Sequence, residues 1–371
     1  MFFSEQYYAD PYPVLARSRA EAPVRRITDQ GGRAVWIVTG YAEARAALAD
    51  PRLRKRFTPV DEPPMFHVLN SDGADHTRLR KPLTRTFTAR RVERLRPRIE
   101  AITADLLDPL VGEVDLVAAF ALPLPFQVVC ELLGVPPSDR DELAAWGAVL
   151  STESHDDDFD AAGLAMTTYF GELVVAERTA RTDGLLGALV DSGLTDVELV
   201  STALLVLTAG YETTVNLIST GVLTLLRNPD VLAALRADRS RLPATVEEFL
   251  RHDGPLITAT PRYTTVGPVE LGGVTIPERQ VVLVALAGAD RDPARYPDPD
   301  RFDPTRPPSH LAFGHGPHFC LGAPLARLEA EVAFTALLDR YPTWELTTDA
   351  LTYQRSPLFR GLTSLPVRLE R

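Results

Sequence analysis

Between Thr195 and Leu226 the sequence reads TDVELVSTALLVLTAGYETTVNLISTGVLTLL, about thirty residues that are apolar on nearly every side. Thr195 with Glu198 three residues on forms a capping box, and Asn228-Pro229 supplies the stop. A helix this long and this apolar has to run through the middle of a soluble protein. The rest of the chain must pack around that rod.

Helical patterns dominate what surrounds it. Arg91 to Leu110 carries apolar residues at three- and four-residue spacings and predicts an amphipathic helix, and a second pattern covers Pro243 to Arg251. Strand signals are few. Arg33 to Thr39 is one; PVELGGVTIPERQVVLVAL reads as strand, Gly-Gly turn, strand, turn, strand; Trp344 to Leu346 and Leu365 to Leu369 are the last. A proline-rich segment, DRDPARYPDPDRFDPTRPPSH, predicts an irregular but ordered meander. The expected class is mainly α with small peripheral β-sheets. No linker or repeat divides the 371 residues, so a single domain over 1–371 is expected.

The net charge of −11 argues against a nucleic-acid binder. The N-terminus lacks the features of a signal peptide, and no apolar run suits a membrane span. Two distant cysteines form no disulfide framework. The chain reads as cytoplasmic and soluble, without nucleic-acid or membrane partners. Only Lys55 and Lys81 among 39 basic residues are lysine, a bias that suggests a GC-rich bacterial genome.

Cys130, among the apolar residues of VVCELLG, reads as a small hydrophobe. Cys320 does not. Gly314, Gly316 and Gly322 surround it, and a helix with Pro324 in its first turn comes next. A cysteine at a helix N-terminus favours its thiolate. A nucleophile would want an oriented histidine base, and His318 is badly placed for that in an extended loop. Zinc would want further ligands nearby. One thiolate with glycines admitting a large flat object suits axial ligation of haem iron.

The run Phe313-Gly314-His315-Gly316-Pro317-His318-Phe319-Cys320-Leu321-Gly322 resembles the haem-binding loop of the cytochrome P-450 family at every fixed position. The resemblance extends from about Tyr8 to Leu369, and Glu131–Trp146 and Val269–Val282 resemble its bacterial soluble branch. It implies a triangular-prism fold with haem b between the long central helix and the helix after the cysteine loop, and Cys320 as ligand to the iron. Phe313, Gly314, His318 and Gly322 belong to the cofactor-binding set on the same matching.

Other motifs fit the resemblance. Glu248 and Arg251 lie three apart on one helix turn, which alone could be a surface pair. The family implies a buried structural pair that bonds the meander, completed by Arg301. His76 and Arg80 share a helix face; a solvated charged face is the plain reading, and the resemblance aims both at a haem propionate together with Arg262 and His318. Ala209-Gly210-Tyr211-Glu212-Thr213-Thr214 interrupts the apolar helix with hydroxyls and an acid, which costs stability and can open the helix ladder. It resembles the family's acid–alcohol pair: Ala209 and Gly210 near the haem, Gly210 leaving room for dioxygen, and Glu212 and Thr213 as the catalytic proton relay. Two departures are the short segment Phe57 to Asn70 and RTDGLLGAL at Arg181 to Leu189.

The activity implied by the resemblance is that of an O2-dependent monooxygenase that oxidises a small-to-medium organic substrate, with a place in bacterial secondary metabolism. Segments 63–70, 203–209, 257–260 and 357–360 are expected to line the pocket, with Leu69, Leu205, Ile257, Thr258, Ala259 and Leu358 as candidates. No flavin or nicotinamide fingerprint is present, so electrons are expected from a ferredoxin and ferredoxin reductase, docking near Arg78, Lys81, Arg85 and Arg327. A peroxide-using peroxygenase and a non-catalytic haem-binding or sensor protein are the alternatives, and neither needs the acid–alcohol pair.

Overall fold

The apolar stretch forms one unbroken helix, Asp196–Arg227, in the computed structural model, which describes residues 1–57, 65–150, 157–182 and 184–371. The Thr195 hydroxyl accepts from the N–H of Glu198 at 3.2 Å, and the Glu198 carboxylate accepts from the N–H of Thr195 at 3.0 Å. Two donors that a helix start leaves orphaned are thereby satisfied. Asn228 ends the helix because Pro229 disfavours helical dihedrals in the residue before it.

This central helix packs against Pro123–Leu133, Asp157–Ala180, Leu242–Asp253 and Ala323–Arg340. Every residue from Thr214 to Leu225 is buried. Leu217, Ile218, Val222 and Leu225 are at most 2% exposed, and burying each contributes roughly 1.5–3 kcal/mol. At Gly221 the fit is closest: a Cβ there would lie 2.6 Å from Cζ of Phe334 and 3.2 Å from the ring of Phe249. Residues 208–213 depart from this pattern. Thr208 and Ala209 are exposed and 210–213 half-buried, so the buried rod has one open window.

The stretch 91–110 is two helices, Ala89–Glu93 and Arg96–Leu107, rather than one. Pro97, which lacks an N–H, starts the second where it would break the first. The helix predicted from Pro243 runs Leu242–Asp253.

The sheets are small. β1 (Val24–Thr28), β2 (Ala34–Val38), β4 (Arg262–Tyr263) and β7 (Val281–Val284) form one in the order β1-β2-β7-β4. β3 (Gly112–Asp115), β8 (Thr343–Leu346) and β9 (Pro366–Glu370) form a second in the order β3-β9-β8. β5 (Val269–Leu271) and β6 (Val274–Ile276) make a hairpin. Gly272 and Gly273 have φ of +58° and +77°, which the two-residue turn requires. The third strand of that predicted trio leaves the hairpin and pairs with β2 in parallel and β4 antiparallel. Of the expected pocket segments, Pro63 and Pro64 lie outside the described residues.

Candidate active site

The loop before Ala323–Arg340 folds back on itself. The N–H of Cys320 donates to the carbonyl of Phe313 at 2.9 Å, that of Gly314 to Leu311 at 2.7 Å, and that of Phe319 to Gly316 at 3.0 Å. Gly314 and Gly316 take φ of +73° and +75°, dihedrals that glycine alone adopts without cost. Gly316 also packs against helix Tyr41–Ala49, where a Cβ would sit 3.0 Å from Cα of Ala49. At Gly322 a Cβ would lie 3.8 Å from Sγ of Cys320. Arg327 stacks over the ring of Phe313 with its Cζ 4.5 Å from the centroid.

Cys320 is exposed, in contrast to Cys130. The protein around it is dense enough that burial is the largest influence on its thiol and pushes its pKa up; the N–H groups of Gly322 and Ala323, then Arg80 and Arg327, pull it back. Those four donors stabilise a thiolate.

A knot of basic side chains stands beside this loop. His76 and Arg80 are one turn apart on helix Gly73–Thr86. The rings of His76 and His318 are 4.3 Å apart between centroids, and Arg80 bonds the carbonyl of Phe319 at 2.6 Å. Arg262, on β4, is buried and donates to the carbonyl of Leu53 at 3.3 Å. Lys55 completes the group, a residue that sequence reasoning missed. Its ammonium bonds the carbonyls of Thr260 and Pro261 at 3.0 and 3.2 Å and the Thr260 hydroxyl. Its backbone N–H reaches both carboxylate oxygens of Asp72, the residue preceding the His76 helix. No sequence motif marks Lys55; its rarity as a lysine was the only signal.

The electrostatic cost is visible in each member. Burial, followed by His76, Arg262, Lys55 and Arg80, depresses His318 to about 3. Burial and then Arg262 lower Lys55 to about 7, against the pull of Asp72. Burial brings Arg262 down to about 10, again opposed by Asp72. Burial and then Arg80 lower His76. Among the described residues Asp72 is the one carboxylate that acts on these groups. Nε2 of His76 and Nε of Arg262 are buried without a hydrogen-bond partner. Donors and positive charge in such excess fit a ligand end bearing two carboxylates, the propionate edge of a haem.

At the window of the central helix, the Thr213 hydroxyl donates to the carbonyl of Ala209 at 3.1 Å, and Thr208 and Thr214 make the same backward bond to Leu204 and Gly210. The helix nevertheless stays α-helical throughout, so these hydroxyls do not open its ladder. Gly210 has a packing role of its own. Its side faces Val129, where a Cβ would fall 2.9 Å from Cγ2, so the missing side chain makes room for helix Pro123–Leu133. Glu212 is raised by burial and lowered by the Gln354 amide, whose Nε2 donates to Oε1 at 2.6 Å.

The Glu248–Arg251 pair is buried and two-pronged, at 2.7 and 2.8 Å. Arg251 also binds the carbonyls of Asp290, Pro299 and Arg301. The third side chain is Arg306, with Nε 3.6 Å from the Glu248 carboxylate; Arg301 contributes only its carbonyl and points its side chain to Asp303. Two pocket candidates move as well. Ile257 is 1% exposed among Tyr7, Tyr8 and Leu15, and buried Thr258 spends its hydroxyl on the carbonyl of Pro357 at 3.0 Å. Leu69, Leu205, Ala259 and Leu358 keep partly open surfaces.

Residues 173–366 match the family model for Cytochrome P450. The chain is 46% identical to the cytochrome P450 monooxygenase PikC of Streptomyces venezuelae, covering 99% of this chain and 93% of that protein. It is 44% identical to the 6-deoxyerythronolide B hydroxylase of Saccharopolyspora erythraea over 99% and 98% of the two chains. The tirandamycin C-bound structure of the P450 monooxygenase TamI superposes with a TM-score of 0.91 at 45% identity, covering 99% of both chains. With a cysteine loop and cation cluster suited to haem, and relatives matched along nearly their whole length, the chain belongs to the cytochrome P450 family, as a haem-dependent monooxygenase of the bacterial kind.

Proposed function

We propose that residues 1–371 form one cytoplasmic monooxygenase domain in which Cys320 is the haem ligand, and that it oxidises a mid-sized, partly polar natural product in secondary-metabolite biosynthesis. The observation that carries the proposal is the gathering of Lys55, His76, Arg80, Arg262 and His318 beside Cys320 with Asp72 as their only opposing carboxylate among the described residues. Bound haem b would supply the reductive activation of dioxygen, with thiolate donation favouring O–O cleavage.

The remaining work falls to the protein's own groups. Phe313, Gly314 and Gly322 shape the loop so that the N–H groups at the following helix start face the sulfur. His76, Arg80, Arg262, His318 and Lys55 bind the two propionates. Thr213, tied to the carbonyl of Ala209, presents a hydroxyl at the helix window. Glu212 beside it has its proton affinity raised by burial, which suits a carboxyl that takes up and passes on protons. Leu69, Leu205, Ala259 and Leu358 offer the substrate apolar contacts. The substrate class rests on the molecules named in the relatives, 6-deoxyerythronolide B and tirandamycin C.

Electrons enter from a partner, and we assign this role to an acidic ferredoxin served by its reductase. Two of the arginines expected to receive it are otherwise engaged: Arg78 grips Glu198 at 2.5 and 3.1 Å, and Arg327 grips Glu247 at 2.5 and 2.9 Å. Lys81 and Arg85 stay exposed, and Arg90, Arg91 and Arg94 extend the basic surface beyond them. Complementary charge of this kind speeds encounter.

Reconstitution with a ferredoxin, its reductase and isotopically labelled dioxygen tests the reading. One labelled oxygen atom in the product, dependent on the ferredoxin, is expected. Equal turnover on hydrogen peroxide alone would favour a peroxygenase, and haem binding without any turnover would favour a sensor.

A further inference from the structure

Glu212 owes its setting to an element outside its own helix. Residues 352–363 form a hairpin strap laid across the central helix. The strap is closed by the N–H of Gln354 on the carbonyl of Gly361 at 2.9 Å and that of Thr363 on Thr352 at 3.0 Å. Its tip is pinned to the segment after Leu242–Asp253: Ile257 donates to Leu358 and Arg360 to Pro255, each at 2.8 Å. The Arg360 side chain fastens it again, to Asp253 at 3.0 Å and to the carbonyls of Tyr8 and Ala9 at 3.0 and 3.1 Å.

The strap also presses on the central helix one turn beyond Glu212. A Cβ on Gly361 would fall 1.8 Å from Oδ1 of Asn216 and 2.3 Å from its Cγ, so glycine there lets the strap lie directly on the buried Asn216 side chain. Gln354 sits opposite Gly361 in the hairpin, its N–H on the Gly361 carbonyl, and its Nε2 donates to Oε1 of Glu212 at 2.6 Å. No charged side chain acts on Glu212 among the described residues; the opposing influences are burial and this one amide.

We propose that Gln354 is a positioning residue for Glu212: its amide, held by the strap, orients the carboxylate and favours its ionised form without itself gaining or losing a proton. The proposal rests on the reading of Glu212 as the proton relay. A neutral donor suits the place. It supplies a hydrogen bond to the charged form, which lowers a carboxyl pKa, while a lysine or arginine would add a second buried charge and trap the carboxylate in an ion pair. The relay needs a group that can lose its proton and regain it, so an amide leaves Glu212 able to cycle.

The test titrates Glu212 directly, by the infrared carboxyl band that disappears in Glu212→Gln. In Gln354→Leu the titration of that band should move up by about one pH unit. Gln354→Asn, which keeps the amide but shortens its reach, should move it the same way. The acidic limb of coupled turnover should move with it, with more peroxide released per electron pair. An unmoved band in both folded variants would overturn the role of Gln354 whatever the turnover. The relay reading is judged separately: if Glu212→Gln leaves the ratio of product to peroxide unchanged, that reading fails, even where Gln354 governs the titration.

Discussion

Arg251 holds Glu248 with two parallel hydrogen bonds, Nε to Oε2 at 2.8 Å and Nη2 to Oε1 at 2.7 Å, in a place where both side chains are at most 4% exposed. The same carboxylate accepts the backbone N–H of Asp303 at 2.8 Å, so the pair staples the proline-rich meander to helix Leu242–Asp253. Removing one partner strands the other as a buried charge, at a cost of about 3–5 kcal/mol. Glu248→Ala and Arg251→Ala should each lower the unfolding free energy by that much in urea melts, with loss of haem retention. A loss below about 1 kcal/mol would mean that the pair behaves as an exposed one.

Gly221→Ala probes the central packing. The added methyl meets Phe334 and Phe249, rings whose centroids are 5.0 Å apart and which cannot both retreat easily. Overpacking of this kind costs about 1–3 kcal/mol. Thermal melts should show the destabilisation, and Leu217→Ala should exceed it, at roughly 2–5 kcal/mol.

Lys55 gives the haem-free protein a pH dependence of known sign. Its ordinary pKa of 10.5 falls to about 7 on folding, because burial and Arg262 oppose its charge. Between those values the unfolded chain binds the proton and the folded one does not, so stability rises with pH, by at most about 1.4 kcal/mol per unit from this group. Denaturant melts of the apoprotein from pH 7 to 10 should show the slope, and Lys55→Met should flatten it. Propionates beside the ammonium would hold its proton in the loaded protein and remove the slope there too. Parallel slopes for Lys55→Met and the parent would contradict this placement.

Arg85→Glu reverses one charge on the exposed surface of helix Gly73–Thr86. Reduction by ferredoxin should slow, most at low salt, while substrate affinity stays level. Stopped-flow reduction at two ionic strengths measures it, and an unchanged rate would remove Arg85 from the docking surface.

The central helix and its cap were legible because periodicity and capping chemistry act locally: Thr195, Glu198 and Pro229 mean the same in any fold. The loop around Cys320 was legible for a similar reason, since Gly314 and Gly316 answer to backbone dihedrals. What escaped the sequence depends on distant neighbours. Lys55 became part of the cation cluster only when 260–262 folded back over it. The room made by Gly210 could be assigned only once Val129 faced it. Arg306 replaced Arg301 in the Glu248 cluster because the meander has no period from which to read which side chain turns inward.

The central claim is that Cys320 binds haem iron as a thiolate, and the absorption spectrum of the dithionite-reduced protein under carbon monoxide tests it most directly. A Soret band shifted far to the red, lost in Cys320→Ser, is the predicted result. A band at the position of histidine-ligated haem, or a red-shifted band that survives in Cys320→Ser, would contradict it.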